Sequence, residues 1–200
     1  MSYINFILGP TFIAVASDGL SVDINGNVVN EHTQKYMITD NKVVIGGIGL
    51  ADVSNMLFND ISQRQFFSYT ETVEYVTDFL ELFLQECQRQ NKFFNVEIGV
   101  VGFQEGAALG KTFMIDKSRK DLQIFDNPTF SIMNFIPHEL PFEPAEFFHL
   151  NELRPDGKWS FEKLLMRQRE VVQAVARVSN TVNSNITQDL IFNEATQKAD

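Results

Sequence analysis

The stretch Thr11–Val53, TFIAVASDGLSVDINGNVVNEHTQKYMITDNKVVIGGIGLADV, decides the fold. It opens on a run of apolar and β-branched residues that ends at Asp18-Gly19, a pairing common in turns. It turns again at Asn25-Gly26, a dipeptide that takes the positive φ angles a tight hairpin needs, and resumes as two apolar runs around Asp40-Asn41. Upstream, residues 3–8 form another apolar run, separated from residues 11–18 by a Gly9-Pro10 corner. These patterns predict a β-meander. After Gly49 the period changes: Val53, Met56, Leu57 and Ile61 recur at helical spacing.

A longer helix is predicted over SYTETVEYVTDFLELFLQECQRQ, with Ser68 and Glu71 at capping-box spacing and one apolar stripe of Val73, Val76, Phe79, Leu80, Phe83, Leu84 and Cys87. Strands return at FNVEIGVVGF, KTFMID, LQIFD and FSIMNF. A segment punctuated by Pro137, Pro141, Pro144 and Pro155 reads as irregular. A last helix is predicted from about Phe161 to Val178, capped by Ser160, and TQDLIFNE closes as a strand. Each sheet needs one covered face and the helices arrive in two blocks, so two stacked sheets flanked by helices is the economical packing.

Two hundred residues, 44% of them hydrophobic, suffice for one well-buried domain over 1–200. The net charge of −10 argues against a nucleic-acid partner, because phosphate binding depends on clustered Lys and Arg. Cys87 is the lone cysteine and reads as buried apolar filler in a reducing compartment. No apolar run reaches the roughly 18 residues of a membrane span, and no basic region precedes the first apolar stretch as in a signal peptide. A cytoplasmic protein with no membrane contact is expected.

Several motifs fall short of their chemistry. GAALGKT, Gly106–Thr112, has three residues between its glycines where a phosphate-binding loop has four, and it runs on into strand-like FMIDK rather than a helix. It reads as a hairpin turn. GGIGLAD offers Gly47 and Gly49 but Asp52 where a dinucleotide fingerprint has its third glycine; glycines ending a buried strand instead indicate close backbone approach. Of His32, His138 and His149, only Glu146–His149 has a spacing that could place two ligands on one helical face, and Pro141 and Pro144 argue against that helix. No metal site and no cofactor are expected. No GxSxG sequence marks a nucleophile elbow.

With Ala16-Ser17-Asp18, Lys35, Thr39-Asp40-Asn41 and Gly46–Gly49, the quoted stretch resembles the first part of proteasome β-type subunits and their bacterial relatives. The resemblance implies an α+β fold of N-terminal nucleophile hydrolase type, a four-layer α/β/β/α sandwich. It also implies an N-terminal Thr or Ser nucleophile sixteen positions before the Asp, and counting back from Asp18 lands on Ser2. Lys35 matches with one inserted residue, which the Asn25-Gly26 turn can hold. Removal of Met1 would free the Ser2 α-amine to act as base, since such amines titrate at roughly 7.7–8. The resemblance makes Asp18 and Lys35 catalytic residues with Ser2, Lys35 favouring the neutral amine and Asp18 holding the Lys35 ammonium, and assigns the oxyanion to a backbone N–H near Gly47 or Gly49. It implies a peptide or amide substrate and a homo-oligomeric ring.

The family's mid-chain Gly-Ser-Gly segment has no counterpart near FSIMNFIPHEL. Its Asp-x-x-Ser-Gly segment aligns with SNTVNSNITQDL, with Asn180 or Thr181 in place of the acid and Asn183 or Ser184 in place of the serine. Asn180 and Ser184 are the expected supporting pair. A non-catalytic assembly or scaffold protein that keeps the fold stands as the alternative. A nucleotide-binding protein using Gly110-Lys111-Thr112 is a weaker one. The Phe-rich stretch Phe142–Phe148 could serve as a subunit contact if exposed, or pack as core.

Overall fold

The computed structural model describes residues 2–23, 25–64, 68–137, 140–154 and 157–193. They fall into two compact units, one within Met1–Phe6, Ala14–Gln34 and Ile132–Leu190, the other within Ile7–Ile13, Lys35–Ser131 and Ile191–Asp200. Met1 and His138 lie outside the described residues.

A four-stranded sheet has the order β10-β1-β2-β11, from β1 (Ile4–Leu8), β2 (Phe12–Asp18), β10 (Ile132–Phe135) and β11 (Ile186–Phe192). Strands β1 and β2 are buried at every position. Such two-sided burial explains why they read as continuous apolar runs rather than alternating ones. Helix α4 (Phe161–Val178) follows the expected boundaries and buries a stripe of Leu164, Gln168, Val171, Val172 and Val175. Ser160 is its N-cap residue, but the side chain makes no cap bond, contrary to the expectation. The short pair β3 (Ser21–Val22) and β4 (Val28–Asn30) flanks a loop organised by Asp23, whose Oδ1 accepts the N–H groups of Asn25 and Asn27 at 2.8 Å each. The Asn27 side-chain N–H donates to Oδ2 at 2.9 Å, and that bond foremost, with the backbone donors, holds the carboxyl below the usual carboxylate range.

The second sheet, β5-β6-β7-β8-β9, is antiparallel throughout: β5 (Tyr36–Ile38), β6 (Val44–Gly49), β7 (Val96–Gln104), β8 (Ala107–Ile115) and β9 (Leu122–Asn127). Helices α1 (Ala51–Ser62) and α2 (Tyr69–Gln90) enter between β6 and β7. They bury Val53, Leu57, Val76 and Leu80 against Ile98 and Phe113. The capping box forms as the sequence predicts: Ser68 Oγ accepts the Glu71 N–H at 3.3 Å and the Glu71 carboxylate accepts the Ser68 N–H at 2.9 Å. Cys87 is buried on the same helix, and burial pushes its thiol pKa up.

Strand β8 begins earlier than KTFMID suggests and takes in Gly110-Lys111-Thr112. The turn before it is Glu105-Gly106, with φ of 51° and 86°, the paired left-handed geometry of a two-residue hairpin. Lys111 is ion-paired with Asp126 on β9, and Thr112 Oγ1 accepts the Asn127 side-chain N–H at 3.0 Å. Both side chains belong to strand pairing, not to a phosphate loop.

The proline-rich segment is more regular than expected. Pro144–Phe147 makes a 3₁₀ turn and Leu150–Leu153 a single helical turn, α3. Glu146 and His149 therefore share no helix, and no cluster of metal-ligating residues occurs among the described residues. Phe142 and Phe147 are half-buried, with ring centroids 5.3 Å apart and planes tilted by 56°, and Phe148 is buried.

Near the C-terminal end, the Asn193 N–H donates to Thr11 O at 3.0 Å and its side chain to Gly106 O at 3.1 Å. Lys42 Nζ donates to Phe192 O at 3.0 Å.

Candidate active site

Ser2 lies half-buried just before β1. The next residue is gripped by Asp18: the Tyr3 N–H donates to Asp18 Oδ1 at 2.8 Å, and the Asp18 N–H returns a bond to Tyr3 O at 3.2 Å. Asp18 Oδ2 accepts the Leu20 N–H at 2.8 Å. Asp18 is 0% exposed. A carboxylate so placed is tolerable only when charge-assisted donors replace its water, and two backbone donors do so here. The structure thus places Asp18 against the residue that follows Ser2.

The turn after Asp18 is equally constrained. The Gly19 N–H donates to Asn183 Oδ1 at 3.0 Å, while Asn183 Nδ2 donates to Glu31 O at 3.0 Å. A Cβ on Gly19 would sit 2.5 Å from Glu31 O, so glycine is required by close backbone approach. Asn183 of the 179–185 loop thus reaches this turn, and Asn185 joins it there, its Nδ2 donating to Glu31 O at 3.0 Å. Asn180 and Ser184, the expected supporting pair, are both exposed, and Ser184 lines an open hollow of about 580 Å³ with Gln173, Ala176, Arg177 and Asn183. The amide of Asn183 accepts from Gly19 and donates to Glu31 at once.

In the other unit, Lys35 is 5% exposed immediately before β5. Its carbonyl accepts the Gly47 N–H at 3.0 Å. The Gly47 N–H is thereby engaged by the residue that precedes β5. Gly49 differs: it ends β6 at φ +103°, and a Cβ there would lie 2.2 Å from Asn95 O. Ser54, near the start of α1, is buried against Gly47, and its hydroxyl has no hydrogen-bond partner among the described residues.

Many solved structures share the architecture. Anbu (ancestral beta-subunit) from Yersinia bercovieri aligns at TM-score 0.65 and 10% identity, over 94% of this chain and 80% of that one. The fold is proteasome-like. Eukaryotic HslV from Trypanosoma brucei aligns at TM-score 0.57 and 12% identity, over 96% of this chain and 99% of that one. No family model and no curated protein matches the sequence. The N-terminal nucleophile hydrolase fold inferred from Thr11–Val53 is thus the fold observed. No described helix of this proteasome-like chain is long and apolar enough to cross a membrane.

The sequence reading overlooked a group of buried amides in the same unit as Ser2 and Asp18. Asn5 and Gln168 are each 0% exposed and are bonded to each other at 2.8 Å. The available signal was one polar residue inside the apolar run YINFIL and one inside the buried stripe of α4. Isolated polar residues at core positions signal a partner elsewhere in the chain.

Proposed function

We propose that this chain is a proteasome-β-like N-terminal nucleophile hydrolase that cleaves peptide or amide bonds, with Ser2 as nucleophile once Met1 is removed. The observation that carries the reading is the buried Asp18 carboxylate holding the Tyr3 N–H at 2.8 Å. It fixes the backbone directly after the proposed nucleophile, at the spacing the proteasome-like fold leads one to expect.

In the proposed reaction Ser2 Oγ attacks the substrate carbonyl carbon while the Ser2 α-amine takes the hydroxyl proton. The tetrahedral intermediate collapses with cleavage of the C–N bond, and the α-ammonium returns the proton to the leaving amine. Water then hydrolyses the acyl-serine ester by the same base. Lys35 enters on the sequence resemblance; its ammonium would favour the neutral α-amine, since adjacent cations destabilise one another. The oxyanion donor likewise enters on the sequence resemblance, as a backbone N–H near Gly47 or Gly49. The reading carries with it a cytoplasmic homo-oligomeric ring, with no cofactor and no nucleic-acid partner.

A second reading, a non-catalytic assembly protein on the same fold, is favoured by one observation: the loop that meets the Asp18 turn supplies the amide of Asn183 rather than an acid or a hydroxyl. Treatment with a peptidyl β-lactone or epoxyketone, followed by peptide mapping, separates the two. The hydrolase reading expects Met1 to be absent and residue 2 modified. Retention of Met1 in protein from its native host, with no modification at residue 2, overturns it in favour of the assembly protein.

A further inference from the structure

The proposed reaction needs residue 2 at a fixed place along β1, yet the apolar pattern of β1 does not define its register. All five residues of β1 are buried. In a strand buried on both faces, a slip by two residues exchanges one apolar side chain for another at little cost in buried area. It would carry residue 2 about 6.8 Å along the strand. The tight β1–β2 turn, closed by the Gly9 N–H on Phe12 O at 2.9 Å, opposes it, and polar contacts along the strand can oppose it further.

A chain of amides fills that role. Tyr3 and Asn5 project to the same side of β1, two residues apart. The Tyr3 hydroxyl donates to Asn134 Oδ1 at 2.8 Å, and Asn5 Nδ2 donates to the same oxygen at 2.8 Å. Gln168 Nε2 of α4 donates to Asn5 Oδ1 at 2.8 Å, Gln188 Nε2 of β11 donates to Gln168 Oε1 at 2.9 Å, and Arg169 Nε donates to Gln188 Oε1 at 2.9 Å. The donors from Arg169 to Asn5 all run one way, from an exposed guanidinium to the half-buried Asn134 carbonyl, an arrangement in which each bond polarises the next. Tyr3, Asn5 and Gln168 are each fully buried. Apolar residues of similar volume at positions 5 and 168 would satisfy the core without desolvating two amides. The network therefore contributes specificity of placement more than stability.

We propose that Asn5 and Gln168 are positioning residues that set the register of β1 and so the location of residue 2. This rests on the hydrolase reading only for its catalytic consequence; the register claim stands by itself. Only one alignment of β1 places Asn5 against Gln168, the Tyr3 hydroxyl on Asn134 and the Tyr3 N–H on Asp18.

The test is the double variant Asn5→Leu/Gln168→Leu in the full chain. Asn134 keeps the Tyr3 hydroxyl, and Gln188 keeps Leu165 O and Arg169 as partners. Expected are a thermal midpoint within a few degrees of the parent, faster hydrogen exchange at the Tyr3 amide, and labelling of residue 2 by the β-lactone slowed at least about tenfold. A misplacement of 1 Å can cost about a hundredfold. Any loss of peptide turnover should fall on kcat and leave KM unchanged. Parental labelling together with parental protection of the Tyr3 amide would overturn the proposal. If the parent protein is itself unlabelled, the hydrolase reading fails while the Tyr3 amide still decides the register claim. Should the double variant not fold, Tyr3→Phe with the same two readouts replaces it, and unchanged protection of the residue 3 amide overturns the proposal equally.

Discussion

Replacing Asp18 by asparagine tests the clamp at the start of β1 directly. The wild-type carboxylate accepts the Tyr3 and Leu20 N–H groups, one on each oxygen, both at 2.8 Å. An asparagine amide has one oxygen, so one of these donors must face an NH₂ group. The change loses one charge-assisted bond, worth about 1.5–3 kcal/mol, and leaves one buried N–H unsatisfied at a further cost of about 1–3 kcal/mol. These contributions overlap, and a net loss of about 3 kcal/mol is expected. For a chain of this length that corresponds to a fall in thermal midpoint of roughly 6–12 °C. The assay is urea unfolding followed by circular dichroism, with the slope m held equal to that of the parent so that the midpoint shift reads stability alone. Amide exchange at Tyr3 and Leu20 should quicken together. A stability change below about 1 kcal/mol, with both amides still protected, would refute the reasoning that this carboxylate holds the strand.

Three further outcomes follow from the same geometry. Gly49→Ala places a Cβ 2.2 Å from Asn95 O on a backbone at φ +103°, so strain of about 1–3 kcal/mol adds to a clash with main-chain atoms; a urea midpoint within error of the parent would contradict it. Ser54→Ala removes a hydroxyl that is buried without a hydrogen-bond partner among the described residues, and should leave stability unchanged or raise it by about 1 kcal/mol, as measured by thermal unfolding. Burial, then the nearby Asp126 charge, pushes the Tyr69 pKa up to about 12, above the unfolded value of about 10. Its contribution is complete below pH 10 and is lost as pH rises through 12, because the unfolded chain releases the proton first. Stability measured across that window should decline less steeply in Tyr69→Phe than in the parent.

The elements whose signals are local were legible in the sequence. The Ser68–Glu71 capping box, the stripe of α2 and the Asp40-Asn41 turn each need only near neighbours in the chain, and all formed. The β7–β8 hairpin was anticipated from GAALGKT, although its turn sits at Glu105-Gly106 rather than within the glycine-rich run. What the sequence did not disclose depends on distant partners. Gly47 and Gly49 looked equivalent, and only the fold shows that the Gly47 N–H meets the residue preceding β5 while Gly49 stands at a strand end. Asn183 and Ser184 are adjacent, and only the folded loop shows which one turns toward Gly19. The partner of Asn5 lies 163 residues away, so an isolated amide in an apolar strand announced a partner without naming it.

The ties made by Phe192 and Asn193 bear on how the chain is made. Thr11 and Gly106, both near tight turns, and Lys42 all bond to residues that leave the ribosome late. During synthesis from the N-terminus, these particular bonds form only once residues 192 and 193 have emerged, while the helices and hairpins between the bonded positions are already able to form. A ribosome stalled or released upstream of Ile191 therefore yields a nascent chain that cannot latch, and such truncated products should be the ones that chaperones retain and proteases clear.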